Sequence, residues 1–475
     1  MKKFLLFLLL LISLQSFGQK KSAKDKIQKA IAEVDFAIPL TADNWEFKPN
    51  SVEFVEYKGR KSMKINQGSG QIVLKDLIFK DGTIEYDIEP DAAEFADAIY
   101  FHRKDANEQE IVYLRVAKMG NPLANEGIQY TPYFNGVNMW DMYPQYQAPS
   151  NAKVNIWNHI KLVISGKQMK VYTNGILELQ VPKLEGKELS GSIALEGASH
   201  IADLVIKPNE TEGLSPLEGI DITQHDGHYL RKWAISMPAL FPKGTEPNLL
   251  PPLDNFTDSI AAETAGLVNL TRRFGAAPER KIVWLNTNIQ TKEATSVNLQ
   301  LGFSDEVWVY LNNQMVLVDK NLFQQAGMRK YPDGRASVQN TIAKLNLKKG
   351  NNELLIAVAN DFYGWGLIAR LDNTENILQT NDISSILSKA KELANIDLNL
   401  YLGTFTNSMP PYKLTFTTKE KSLFCQVPNQ PAFQVTAYGN HIFKYDQAGV
   451  ALEFIPTENK VIVKQGSEIK EFVKN

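Results

Sequence analysis

The stretch IKLVISGKQMKVYTNG, residues 160–175, decides the fold. Ile160, Leu162 and Ile164 recur at every second position, the period of an extended strand. Ser165-Gly166-Lys167 then turns the chain, Met169–Tyr172 returns it, and Asn174-Gly175 turns it again. Asn-Gly suits the tight hairpin turn that needs left-handed backbone. The same grammar appears upstream in Thr83–Glu89, where Ile84, Tyr86 and Ile88 share one face and Glu85, Asp87 and Glu89 the other. Short strands joined by polar turns imply antiparallel sheets packed face to face.

The compartment is read from the first eighteen residues. Lys2 and Lys3 precede the apolar run Phe4–Leu14, and Ser16-Phe17-Gly18 offers small residues for cleavage before Gln19. The run is too short to span a bilayer as a helix. The expectation is a cleaved signal peptide (1–18), export to the periplasm or medium, and no membrane insertion afterwards. Net charge is −2, or −4 without Lys2 and Lys3. A weak negative balance argues against nucleic acid, which needs clustered positive charge. The single Cys425 excludes an internal disulfide and a cysteine-cluster zinc site.

Residues 19–36 read as a short helical segment, with Ile27, Ala30, Ile31 and Val34 at helical spacing. Strand patterns fill 37–209. The polar stretch PNETEGLSP (208–216) reads as a linker. A second β-rich block, 216–375, holds Lys281–Ile289, Ser296–Phe303, Glu306–Leu311, Ala343–Leu347 and Glu353–Ala359. Residues 376–396 carry a helical connector, with Asp382 as cap and Ile386, Leu387, Ala390 and Leu393 as its apolar stripe. Residues 397–475 form a small C-terminal β domain.

DGTIEYDIEP (81–90), IYFHR (99–103), YLRV (113–116), IQYTPYFNG (128–136) and WNHIKLVISGKQMKVYTNG (157–175) together resemble concanavalin A-like or laminin-G-like jelly rolls. That resemblance implies a sandwich whose concave sheet often meets carbohydrate. GFSDEVWVYLNNQ (302–314) and LKKGNNELLIAVANDFYGWGLIARL (347–371) resemble galactose-binding-like jelly rolls. YLGTF (401–405) and the strands after it resemble the small β domain that trails penicillin-binding-type serine hydrolases. The upstream hydrolase partner is absent, so its activity does not transfer.

The stretch QYTPYFNGVNMWDMYPQY (129–146) crowds six aromatic rings among Pro132, Gly136 and Pro144. It reads as turns and loop, with Tyr130, Trp140 and Tyr143 as ligand contacts, because flat apolar rings suit sugar faces. Tyr363 and Trp365 in DFYGWG (361–366) repeat the case. Glu85, Asp87 and Glu89 form a Glu-x-Asp-x-Glu strand, which in laminarinase-type jelly rolls supplies nucleophile, helper and acid/base. The competing reading is an ordinary framework strand whose alternating acids face water. Ser150-x-x-Lys153 and Ser467-x-x-Lys470 lie in β surroundings, where serine–lysine chemistry lacks its helix. His225-Asp226-Gly227-His228 reads as a solvated loop, and no metal ligands are identified. No cofactor is expected, with structural calcium as the exception both jelly-roll types allow.

The expectation is therefore an all-β, multidomain chain of β-sandwiches with a small terminal β domain and a short helical connector. Its function reads as non-catalytic binding of carbohydrate or surface glycan at a bacterial envelope. The alternative is a glycoside hydrolase using the 83–89 strand. A scaffolding role would need an exposed apolar patch.

Overall fold

The computed structural model describes residues 36–275, 279–408, 411–439 and 441–475. The expected signal peptide and most of the helical segment after it lie outside the described residues. The architecture is all-β, and it divides into two compact units. Of the described residues, one unit comprises those up to Lys104 with Glu110–Tyr130 and Gln147–Gly219, and the other comprises Asp105–Gln109, Thr131–Tyr146 and those from Ile220 onward.

In the first unit the described residues build two antiparallel sheets. One is seven-stranded, in the order Ile176–Val181, Gln168–Thr173, Asn158–Ser165, Gly82–Pro90, Ser199–Pro208, Arg60–Ile65, Val52–Tyr57. The predicted hairpin sits in it: Leu162 pairs with Val171 on one side and with Ile84 on the other. Asn174 and Gly175 both take positive φ, 52° and 80°, as the tight turn requires. The alternation then sorts the faces. Ile84, Tyr86, Ile88, Ile160, Leu162 and Ile164 are buried, while Glu85, Asp87 and His159 stay in reach of solvent. The other sheet runs through Trp45–Glu46, Ile72–Leu74, Ser192–Glu196, Ala96–Arg103, Gln109–Arg115, Ile128–Phe134 and Gln147–Ala148.

The aromatic stretch is more regular than its prolines suggest. Ile128–Phe134 is a strand despite Pro132, and Asn135-Gly136 turns it into Val137–Asn138. Only beyond Asn138 does the chain become irregular, ending in the short 3-10 turn Pro144–Tyr146. A proline removes one donor from a ladder, and a strand tolerates that where the donor is not needed.

In the second unit a four-stranded sheet (Leu267–Asn269, Gly366–Leu371, Thr295–Ser304, Thr341–Leu347) accompanies an eight-stranded one centred on Lys281–Thr291, Gly350–Ala359 and Glu306–Leu311. A core of Trp233, Leu285, Leu301, Phe303, Val309, Ile356 and Leu367 joins them. The helix Ser384–Ala394 packs Ile386 and Ala390 against Trp284, Trp308 and Tyr310. The cap position is Ile383 rather than the expected Asp382; the Asp382 carboxylate, two residues before the helix, accepts the N–H of Ser384 at 3.0 Å.

The last strands close into an eight-stranded barrel from Gly403–Ser408 to Glu468–Lys474. Phe405 pairs with Lys474 and Thr406 with Val473, so first and last strands meet. Phe405, Phe416, Phe443, Phe454 and Phe472 are buried together with Tyr401 and Cys425. A small barrel whose lumen is filled by rings is a packed core rather than a channel.

Candidate ligand-binding surface

Three segments of the second unit bring aromatic rings together. From Thr131–Tyr146 comes Trp140, held where Met139 N–H reaches Pro132 O and Met142 N–H reaches Met139 O, both at 3.1 Å. From the irregular chain after Gln314–Lys320 comes Phe323, and from the turn after Gly350–Ala359 come Phe362 and Tyr363. Trp140 meets Phe323 edge to face at 4.7 Å and Tyr363 at 6.0 Å. Phe323 and Phe362 stack at 6.0 Å with their planes 4° apart, and Phe362 meets Tyr363 at 4.5 Å. Arg329 lies 4.3 Å from the Phe323 ring centre and Arg335 lies 5.0 Å from that of Trp140. Each geometry is one that the negative ring face and positive edge favour.

The five rings singled out in the sequence have different fates. Trp140 is 7 % exposed and Tyr363 45 %. Tyr143 is buried, stacked on Tyr146 at 6.0 Å. Its hydroxyl donates to Glu263 Oε2 and accepts from Asn269 Nδ2, both at 3.0 Å. Trp365 is buried and its Nε1–H donates to Gly275 O at 3.0 Å. Tyr130, in the first unit, is buried with its hydroxyl donating to Glu110 and accepting from Glu185 N at 2.7 Å. The expectation that Tyr130, Tyr143 and Trp365 offer a ring face to ligand meets this burial: their polar handles are used inside the protein. Trp140 supports the surface from beneath, and Tyr363 is the ring that opens to solvent. Sequence reading did not single out Phe323, which stands in a stretch without periodicity. Phe362 lies within the DFYGWG motif, beside the two rings expected as contacts.

Polar groups flank the rings. Lys243 pairs with Asp361 beside Phe362. Beneath lie two buried acids, Asp141 and Asp305, with Ser304 between them. Burial, and then the charge of Asp305, pushes the Asp141 carboxyl well above the usual carboxylate range. Burial likewise pushes Asp305 up to about 7, against the N–H bonds of Phe362 and Asp361 that favour its charge.

The acids of Gly82–Pro90 are each paired with a basic group. Glu85 binds Lys207 at 3.2 Å. Asp87 pairs with Arg60 and with His159 Nδ1 at 2.7 Å. Glu89 takes Lys58 at 2.7 Å and the Tyr57 hydroxyl at 2.9 Å. Each carboxylate is thus neutralised on the outer face of its sheet. A retaining glycosidase needs one carboxyl free as nucleophile and another able to carry a proton. Asp226 holds His228 Nδ1 at 2.6 Å in the loop after the linker. Among the described residues no three His, Cys, Asp or Glu side chains come close enough to hold a metal.

In the first unit the sheet that holds Ala96–Arg103 and Gln109–Arg115 carries a second polar set. Arg115 donates to the Tyr113 hydroxyl at 2.6 Å and to Gln129 Oε1 at 2.9 Å. Tyr100 donates to Glu196 Oε2 at 2.6 Å.

No family model matches the chain, and no curated protein does. Among solved structures it is similar to the carbohydrate-binding module CBM66 from Bacillus subtilis, at 17 % identity and a TM-score of 0.26, over 35 % of this chain and 92 % of that one. It is similar to the galectin LEC-6 from Caenorhabditis elegans at 11 % identity and 0.23, over 36 % and 99 %. The β-glucanase of Bacillus licheniformis aligns at 11 % identity and 0.26, over 36 % and 84 %.

Proposed function

We propose that this protein is an exported, non-catalytic binder of carbohydrate or surface glycan, with Tyr363 as the ring that receives a sugar face. The observation that carries this reading is the convergence of Trp140, Phe323, Phe362 and Tyr363 from three separate segments, with Tyr363 alone of the rings singled out in the sequence well exposed. A ring half covered by a sugar loses on the order of 100 Å² of exposed surface, worth about 2 kcal/mol. The Lys243–Asp361 pair at the rim can exchange hydrogen bonds with hydroxyl groups.

Retention on insoluble polysaccharides, with a reducing-sugar assay alongside, tests it. Tyr363→Ala should weaken retention about 30-fold, the equivalent of 2 kcal/mol. Glu85→Gln and Glu89→Gln should leave it unchanged. Release of reducing ends that disappears with Glu89→Gln would instead establish the hydrolase alternative. Unchanged retention in Tyr363→Ala would remove Tyr363 from the site. The Arg115–Tyr113–Gln129 set supports a second reading, in which the sheet face of the first unit binds the glycan; loss of retention in Arg115→Ala alone would select it.

A further inference from the structure

The segment Thr131–Tyr146 contains one charged residue, Asp141, and the fold buries it. Asp141 Oδ2 is 3.3 Å from Ser304 Oγ, and the same Oγ is 3.0 Å from Asp305 Oδ1. Asp305 Oδ2 accepts the N–H groups of Asp361 and Phe362, the latter at 2.8 Å. Asp141 Oδ1 has no hydrogen-bond partner of good geometry, although the N–H groups of Asp141 and Gly364 lie near the carboxyl, and it stands against Gly364, where a Cβ would be 2.8 Å from it. The backbone closes the same contact: Ala336 N–H donates to Asp141 O at 2.8 Å.

A serine hydroxyl has one proton to give, and an ionised carboxylate only accepts. Ser304 cannot donate to both acids at once. One of its two contacts therefore needs a proton supplied by a carboxyl group. Asp305 Oδ2 takes two backbone N–H groups in good geometry, whereas the N–H groups of Asp141 and Gly364 near the Asp141 carboxyl leave its Oδ1 without a well-formed bond, and burial with the charge of Asp305 outweighs them. We propose that Asp141 is a neutral carboxylic acid in the folded protein, and that the chain Asp141 Oδ2–H, Ser304 Oγ–H, Asp305 carboxylate is a proton-dependent latch seating Thr131–Tyr146 in the second unit.

The surrounding charges are committed elsewhere. Asp361 pairs with Lys243, Glu306 with Arg280 and Lys320, and Lys330 with Asp319. Arg329 and Arg335 both pair with Asp333. A cation in place of the proton is poorly served. Calcium takes six to eight oxygens, and Asp305 Oδ2 is already filled by N–H groups. Both acids are displaced upward, Asp305 to about 7. For acids displaced upward the folded form holds the extra proton. The latch holds while Asp141 keeps its proton and is lost as pH rises through the raised value of that acid. The two acids titrate as a coupled pair.

This inference rests on the glycan reading only for its binding arm. Hydrogen exchange of the full chain, corrected for intrinsic rate and followed from about pH 5 to about pH 9, reads the latch directly. In the wild type, protection of 131–146 should fall at least ~10-fold as pH rises through the raised Asp141 value, while the strand Gly82–Pro90 keeps its protection. Asp141→Asn supplies an N–H in place of the acid proton, so its protection should stay level with pH. Ser304→Ala should lower protection at every pH. A flat wild-type profile, or an unaltered pH dependence in Asp141→Asn, overturns the latch. Restoration of protection at high pH by calcium chloride would assign the pair to a cation and overturn it too. If exchange behaves as expected but retention on polysaccharide ignores it, the glycan site lies elsewhere and the latch stands.

Discussion

Trp140 and Tyr363, far apart in the chain, meet edge to face at 6.0 Å, the one buried and the other half open. Their substitution should therefore separate folding from binding. Trp140→Ala removes a buried ring and should cost about 3–5 kcal/mol of stability. Tyr363→Ala should leave the melting temperature of the second unit nearly unchanged while weakening retention on polysaccharide. Calorimetry and retention on the same two variants check this. Equal losses of stability would mean that both rings serve packing alone.

His102 and Glu110 make a buried ion pair in the first unit. Nδ1 is 2.8 Å from Glu110 Oε1 and Nε2 is 2.7 Å from Lys80 O, so both ring nitrogens face acceptors. Two acceptors require two protons, hence an imidazolium. Burial lowers its pKa, but the Glu110 bond and charge, with Lys80 O, raise it further, and the net direction is up. Stability from this group is complete below the unfolded value near 6.5 and is lost as pH rises through the raised folded value. Glu110→Gln should lower the melting temperature at pH 6 and flatten its decline above about pH 7. A wild-type melting temperature indifferent to pH across that window would refute the pair's charge.

Asp97 is 2 % exposed, and neither carboxyl oxygen has a hydrogen-bond partner of good geometry. Burial pushes it up to about 8, the Ser199 hydroxyl offsetting only part of this, with Glu94 and Asp91 adding repulsion. The folded state thus holds a proton that the unfolded chain gives up near pH 4. The resulting stability is whole below about pH 4, erodes as pH climbs, and is exhausted above about pH 8. Asp97→Asn should stabilise the first unit at neutral pH by up to a few kcal/mol and remove that slope. Denaturant melts at about pH 5 and about pH 8 measure both effects. Destabilisation at both would show that the carboxyl has a partner.

Cys425 is buried in the terminal barrel, and burial pushes its thiol up to about 12. A thiol that neither ionises nor meets solvent reacts slowly. Labelling by a thiol reagent should proceed only as the barrel opens, so its rate tracks barrel unfolding. Rapid labelling of the native protein would contradict the closed barrel.

Much of the fold was legible because its signals are local. Two-residue alternation placed Gly82–Pro90 and Asn158–Ser165, and Asn174-Gly175 placed a hairpin. The stripe Ile386, Ala390, Leu393 placed the helix Ser384–Ala394. The candidate site was legible only in part. Aromatic content pointed to Trp140 and Tyr363, but ring exposure depends on which chain segments fold over them. Tyr143 shows why: its partners Glu263 and Asn269 are remote in sequence. The basic partners of Glu85, Asp87 and Glu89 were equally invisible, since Lys207, Arg60 and Lys58 come from other strands and turns. Asp141 and Asp305 lie in motifs of no shared pattern, and only the fold joins them through Ser304.

Tyr363 stands at φ 60°, in backbone that glycine enters freely and other residues enter at about 1–2 kcal/mol. Glycine there would relax the turn and tighten the unit, yet it would leave Phe362 without its outer neighbour. A bulky phenol kept in a left-handed kink is therefore a trade of rigidity for contact, and a Tyr363→Gly chain should be the sturdier and the less adhesive of the two.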